Sequence, residues 1–79
     1  MARVRLFAAA AAAAGEKELD TTATTLSALK AELAARNDEL ARVLLRCTFL
    51  VDGAAVLRDD ERDITHADHV DVLPPFAGG

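Results

Sequence analysis

Two kinds of group in this chain could do chemistry: the carboxylate that ends the run Gly78-Gly79, and a scatter of thiol, imidazole and carboxyl side chains upstream. Glycine has no Cβ, so a Gly-Gly end can thread a tunnel too narrow for other residues and bring its carboxylate beside reactive groups of another protein. Two terminal glycines arise by chance in roughly half a per cent of chains, so the pair gains meaning only from what surrounds it. Cys47 is the only cysteine, which excludes an internal disulfide and a multi-thiolate metal site. It sits in Cys47-Thr48-Phe49-Leu50-Val51, where a buried strand thiol is expected, and no neighbour would lower its pKa. His66 and His69 with Asp63, Asp68 and Asp71 are the nearest approach to a metal or hydrolytic cluster. His66-Ala67-Asp68-His69 spans a turn into a strand, so its two imidazoles need not converge, and it lacks zinc-site spacing. With no glycine-rich phosphate loop and no nucleophile–base pair, the expectation is no metal, no resident cofactor and no catalysis by the chain alone.

Whatever chemistry the chain end performs, one small domain must present it. Seventy-nine residues cannot divide a core between two units, and they leave little room for an enclosed cleft. The hydrophobic share is 52%, much of it Ala, so a limited set of Leu, Val, Ile and Phe must form the core. Thirteen acidic against nine basic residues give a net charge of -4, the wrong sign for neutralising phosphates, and three Phe without Tyr or Trp make no base-stacking platform. Nucleic acid is therefore excluded as a partner, and a basic or neutral protein fits better. Lone-cysteine usage suits a reducing cytoplasm. Arg3, Arg5 and the apolar run that follows have the outline of a secretory leader. That run is mostly Ala and too short to cross a bilayer, and cleavage near Gly15 would remove the first strand, so it is assigned to the domain.

Arg3 to Leu6 alternates polar and apolar, the pattern of a half-buried strand with Val4 and Leu6 inward and Phe7 on the outer face beside Arg3 and Arg5. Ala8 to Ala14 favours helix, with Gly15 as its stop. Glu16 to Asp20 suits an edge strand. Thr24 or Thr25 caps a helix from about Leu26 to Arg36, whose Leu26, Leu29 and Leu33 form a core stripe while Lys30, Glu32 and Arg36 are solvated. Asn37 is expected to close that helix, and Leu40, Val43 and Leu44 to form a short apolar turn. Cys47 to Val51 and Ala54 to Leu57 make a hairpin across Asp52-Gly53, and Arg58 to Asp63 a solvated loop. His69 to Leu73 alternates again, with Val70 and Val72 inward and Asp71 and Leu73 outward, until Pro74-Pro75 ends the ladder. The tail Phe76-Ala77-Gly78-Gly79 projects beyond it. This order predicts an α+β, β-grasp (ubiquitin-like) fold: a mixed sheet of about five strands wrapped on one main helix, residues 1–75 forming the domain and 76–79 the tail. With first and last strands adjacent, Phe7 and Leu73, joined by Leu57, would form an exposed apolar docking patch.

With length, strand order and ending in place, the sequence resembles the MoaD/ThiS sulfur carriers over essentially its whole length. Val4-Arg5-Leu6-Phe7-Ala8, the leucine-spaced helix, Val51-Asp52-Gly53, Asp68-His69-Val70 and the ending Pro74-Pro75-Phe76-Ala77-Gly78-Gly79 all have counterparts there. The Pro-Pro pair is similar to the MoaD type, the molybdopterin synthase small subunit, more than to the ThiS type. The resemblance implies that an E1-like adenylyltransferase (MoeB-like) uses ATP to adenylate Gly79, that a sulfur donor enzyme converts the adenylate to a thiocarboxylate, and that the tail then delivers sulfur to a pterin precursor. Delivery would take place in the large catalytic subunit (MoaE-like), for molybdenum cofactor biosynthesis. It also implies partner contacts through Phe7, Leu57, Leu73, Pro74, Pro75, Phe76 and Ala77, with Gly78 and Gly79 entering the active site. The alanine run is more monotonous than the family's usual first helix, and Leu73 is a smaller anchor than an aromatic. Thiamine- and cysteine-forming systems share the carrier design, and a noncatalytic ubiquitin-like interaction module or protein modifier would use the same patch without sulfur.

Overall fold

The computed structural model describes residues 2–56 and 61–74. Leu57, Arg58, Asp59 and Asp60, and Pro75 through Gly79, lie outside the described residues, as does Met1. The chain runs β1 (Ala2–Leu6), α1 (Ala8–Ala14), β2 (Glu18–Thr21), α2 (Leu26–Ala34), α3 (Asp38–Leu44), β3 (Thr48–Val51), β4 (Ala54–Val56) and β5 (His69–Leu73). The five strands form one sheet in the order β2-β1-β5-β3-β4. β1 and β5 are parallel at its centre, with Val4 opposite Val70 and Leu6 opposite Val72; the other pairings are antiparallel. This is the β-grasp arrangement expected from the strand order.

Period-two alternation sends Val4, Leu6, Phe49, Val51, Val70 and Val72 to the helix-covered face, all buried. The α2 stripe Leu26, Leu29 and Leu33 packs there at 0% exposure. A fully buried aliphatic side chain of this size stabilises by about 1.5–3 kcal/mol, so this face carries most of the folding energy. Leu40 from α3 and Ile64 complete the same core. Ile64 was not assigned there from sequence, because it follows a charged run without a period. Its N–H donates to the Thr24 carbonyl at 2.8 Å and the Leu26 N–H donates to the Arg62 carbonyl at 2.8 Å, so the end of that run is strapped to the start of α2.

Four boundary expectations are corrected, the first being β2, which runs Glu18–Thr21 in place of Glu16 to Asp20. The α2 helix ends at Ala34, two residues before the expected Arg36. Asn37 opens α3 instead of closing α2: its Oδ1 accepts from Leu40 N at 2.7 Å, while its Nδ2 donates to the Ala13 carbonyl at 3.0 Å and fixes α1 against α3. Asparagine caps helix starts because its side-chain oxygen satisfies an orphan N–H, and that role won over helix termination. Cys47 lies just before β3 and is half-buried, its thiol donating to the Val43 carbonyl at 3.3 Å. Burial raises its pKa, which keeps the thiol protonated and poorly nucleophilic at neutral pH. Glu32 and Arg36 are exposed as expected and Lys30 is half-buried, and each has a partner: Lys30 Nζ lies 4.8 Å from the centre of the Phe49 ring, Glu32 accepts from the Thr21 hydroxyl at 3.1 Å, and Arg36 pairs with Glu16 at 2.8 Å.

Candidate docking face and carrier tail

The side of the sheet turned away from the helices is built by the other half of each strand's alternation. Its central row is Glu18, Arg5, Asp71, Leu50 and Ala55, one residue from each of the five strands in register. One row toward the tail, Leu73 lies opposite Thr48, and Phe7 follows Leu6 in an extended conformation. The Phe7 N–H donates to the Val72 carbonyl at 3.2 Å, which prolongs the β1–β5 ladder and brings Phe7 level with Leu73. Phe7 is 41% exposed and Leu73 half-buried, so the two sequence-assigned anchors share one face. Pro74 follows directly, also half-buried. Of the remaining assigned residues, Leu57, Pro75, Phe76, Ala77, Gly78 and Gly79 lie outside the described residues.

Asp71 corrects the simple outward reading. It does point to this face, yet it is buried, because the Arg5 guanidinium closes over it with two hydrogen bonds of 2.5 and 2.9 Å. A bidentate pair of this kind fixes both side chains. Arg3 is held separately by Asp20 at 2.9 Å and Glu18 at 3.5 Å. The result is a polar centre flanked at the tail end by Phe7 and Leu73. The pairing was absent from the sequence reading, although residues on two parallel central strands with opposite charges at matching inward–outward phase are a usable signal for it.

The joint between β1 and α1 was also missed. Ala8 has φ of 53°, a left-handed conformation uncommon for alanine, and it turns the chain from strand to helix in one residue. That sharp turn is what leaves Phe7 at the corner of the sheet. At the other end, Asp52 and Gly53 have φ of 50° and 87°, the two positive values of the tight hairpin expected there. Asp52 Oδ1 accepts from the N–H groups of Asp68 and His69 at 2.9 and 3.0 Å, so the hairpin also fixes where β5 begins.

The two histidines lie on different elements: His69 is on β5, whereas His66 is exposed on the preceding turn. Among the described residues, His, Cys, Asp and Glu form no group of three that could hold a metal. Asp63 accepts from Thr65 N at 2.8 Å, and hydrogen bonding to Thr65, helped by the nearby His66 charge, holds its carboxyl below the usual range. This is turn chemistry. An open concavity of about 560 Å³ between α2, α3 and the β3–β4 hairpin is lined by Lys30, Leu44, Cys47 and Phe49 among others, toward the opposite sheet edge from Phe7. Among the described residues no helix is long and apolar enough to cross a membrane.

The family model described as ThiS family matches residues 4–79, which takes in both strands of the central pair and the Gly78-Gly79 end. The chain belongs to the ThiS family. Small archaeal modifier protein 1 from Methanosarcina acetivorans superposes with a TM-score of 0.82 at 23% identity, over 99% of this chain and 95% of that one. The Haloferax volcanii HVO 2177 protein gives 0.73 at 27% identity, over 99% and 85%. The complex of subunits 1 and 2 of molybdopterin-converting factor from Helicobacter pylori 26695 gives 0.67 at 22% identity, over 99% and 97%. No curated protein matches the chain. The fold of this ThiS family member is thus shared with a chain of a molybdopterin-converting factor complex and with an archaeal modifier protein.

Proposed function

We propose that this ThiS family member is the sulfur-carrying small subunit of a molybdopterin synthase. The observation that carries the reading is the family match running through Gly78-Gly79, together with Phe7 and Leu73 sharing one outer face of the sheet. Activation would begin when the Gly79 carboxylate attacks the α-phosphorus of ATP on an E1-like enzyme, releasing pyrophosphate and leaving an acyl-adenylate. A persulfide of the donor enzyme displaces AMP, and a second thiol cleaves the resulting acyl disulfide to leave the thiocarboxylate. That group is a soft, largely ionised nucleophile at neutral pH, suited to attack on a pterin precursor. The domain's own part is to hold Phe7, Leu73 and Pro74 so that the tail enters the large subunit's active site. Such chemistry fits a cytoplasmic protein with residues 1–75 as the folded carrier and 76–79 as the delivered tail.

The test is intact-mass analysis of the chain ending at Gly79 after incubation with an E1-like enzyme, ATP and a sulfur donor. The carrier gains the mass of one sulfur less one oxygen, and deletion of Gly79 abolishes the gain without unfolding the domain. An unchanged mass, where a control carrier converts, overturns the proposal. The same activated carboxylate could be captured by a lysine amine, which is the modifier reading. Isopeptide conjugates in place of a thiocarboxylate would select it.

A further inference from the structure

Beside Phe7, the β1–α1 corner encloses an open pocket of about 470 Å³ lined by Arg5, Leu6, Phe7, Ala8, Ala11, Lys17 and Glu18. Its walls are of two kinds. Leu6, Phe7, Ala8 and Ala11 give an apolar floor, made accessible by the left-handed turn at Ala8 and by the small alanine side chains of α1. The rim is charged, and its charges are unequally satisfied. Arg5 is bound bidentately to Asp71, and Glu18 is shared with Arg3 at 3.5 Å. Lys17 is exposed, and its ammonium makes no ion pair among the described residues. Its carbonyl accepts from Leu6 N at 2.7 Å, which anchors the residue at the rim while the ammonium keeps the reach of its flexible stem.

We propose that this pocket receives an apolar side chain of the docked partner protein that is followed by an acidic residue, with the carboxylate pairing with Lys17. The inference rests on the docking role given above to the Phe7 face, and it names the partner's chemistry there. Charge complementarity argues for this occupant: a second copy of this chain, net charge -4, would meet general repulsion, whereas a single local carboxylate meets an unpaired cation. The apolar contact supplies affinity and the Lys17 pair supplies orientation. An exposed ion pair contributes a factor of roughly two to five in affinity.

The probe is 4-phenylbutyrate compared with 4-phenylbutanamide, titrated into the isotope-labelled full chain and followed by NMR. Both are expected to shift Leu6, Phe7, Ala8 and Ala11, the carboxylate binding roughly two- to fivefold more tightly at low salt. Lys17→Gln removes that preference and keeps amide binding, whereas Arg46→Gln, away from the pocket, keeps the preference. Equal affinity of the two probes, shifts confined to other residues, or a preference that survives Lys17→Gln overturns the proposal. Sulfur loading at Gly79 is measured on the same samples. A failed titration with normal loading removes the pocket alone, and failed loading with a normal titration removes the carrier reading alone.

Discussion

The two faces of the sheet are made by alternate residues of the same strands, yet they do different work. On the inner face Val4, Leu6, Val70 and Val72 meet Leu26, Leu29 and Leu33, all apolar and almost wholly excluded from water. On the outer face the same two central strands present Arg5 and Asp71 bonded to each other, with Phe7 and Leu73 at the end nearest the tail. Because burial energy scales with apolar area, the first face decides whether the domain folds. The second is free to be polar at its centre and sticky at one end, so it can serve recognition. A side chain's phase in a strand, and not its distance along the chain, separates the residues that fold the domain from those proposed to dock.

Substitutions can break or sharpen that contrast. The largest effect belongs to the inner face: Leu33→Ala removes a fully buried side chain and is expected to cost about 2–5 kcal/mol, read from the chemical denaturation midpoint. A cost near zero would mean that the α2 stripe is not the core. Outer-face changes should be smaller and should depend on which charge is left behind. Arg5→Leu strands a buried carboxylate, whereas Asp71→Leu leaves a guanidinium that water can reach, so the first lowers Tm more than the second. The double substitution should recover part of the Arg5→Leu loss, because replacing both partners leaves no unpaired charge. If the double variant is the least stable of the three, the pair is a stabilising element in its own right and the contrast between faces weakens.

The smallest expected effect is a pH dependence at Asp63, on neither face. Its carboxyl is depressed in the folded chain by hydrogen bonds from Thr65 and by the His66 charge. A depressed folded pKa contributes stability above the unfolded value, near 3.8, and that contribution is lost as pH falls through the folded value. Asp63→Asn keeps an acceptor for Thr65 N but cannot titrate. Thermal melts from pH 6 down to pH 2 should therefore converge between wild type and variant at the acid end. Divergence there would show that the turn does not use the charge.

Much of this could be read before any fold was in view. The alternation through Val4 and Leu6 and through Val70 and Val72 placed two strands and their faces; Leu26, Leu29 and Leu33 placed a helix and its buried side; Asp52-Gly53 placed a hairpin. Each is a local signal, carried by residues two to four apart. Asn37 was misassigned because the same residue type favours both ends of a helix, and only the neighbouring α3 turn selects between them. Ile64 had no periodic neighbours to mark it.

What the sequence determined by itself was therefore the five strands, the helices α1 and α2, the core stripe, the exposed Phe7 and, through the resemblance carried by its ending, the family; the stretch read as a short apolar turn is the helix α3. The tertiary structure alone decided that Asp71 lies beneath Arg5, 66 positions away in sequence, that Ile64 is fully buried, and that Lys17 stands at the rim of a pocket behind Phe7. These depend on which strands become neighbours and in what register. Register is set by the sum of burial over the whole sheet, a quantity that no short stretch of residues contains.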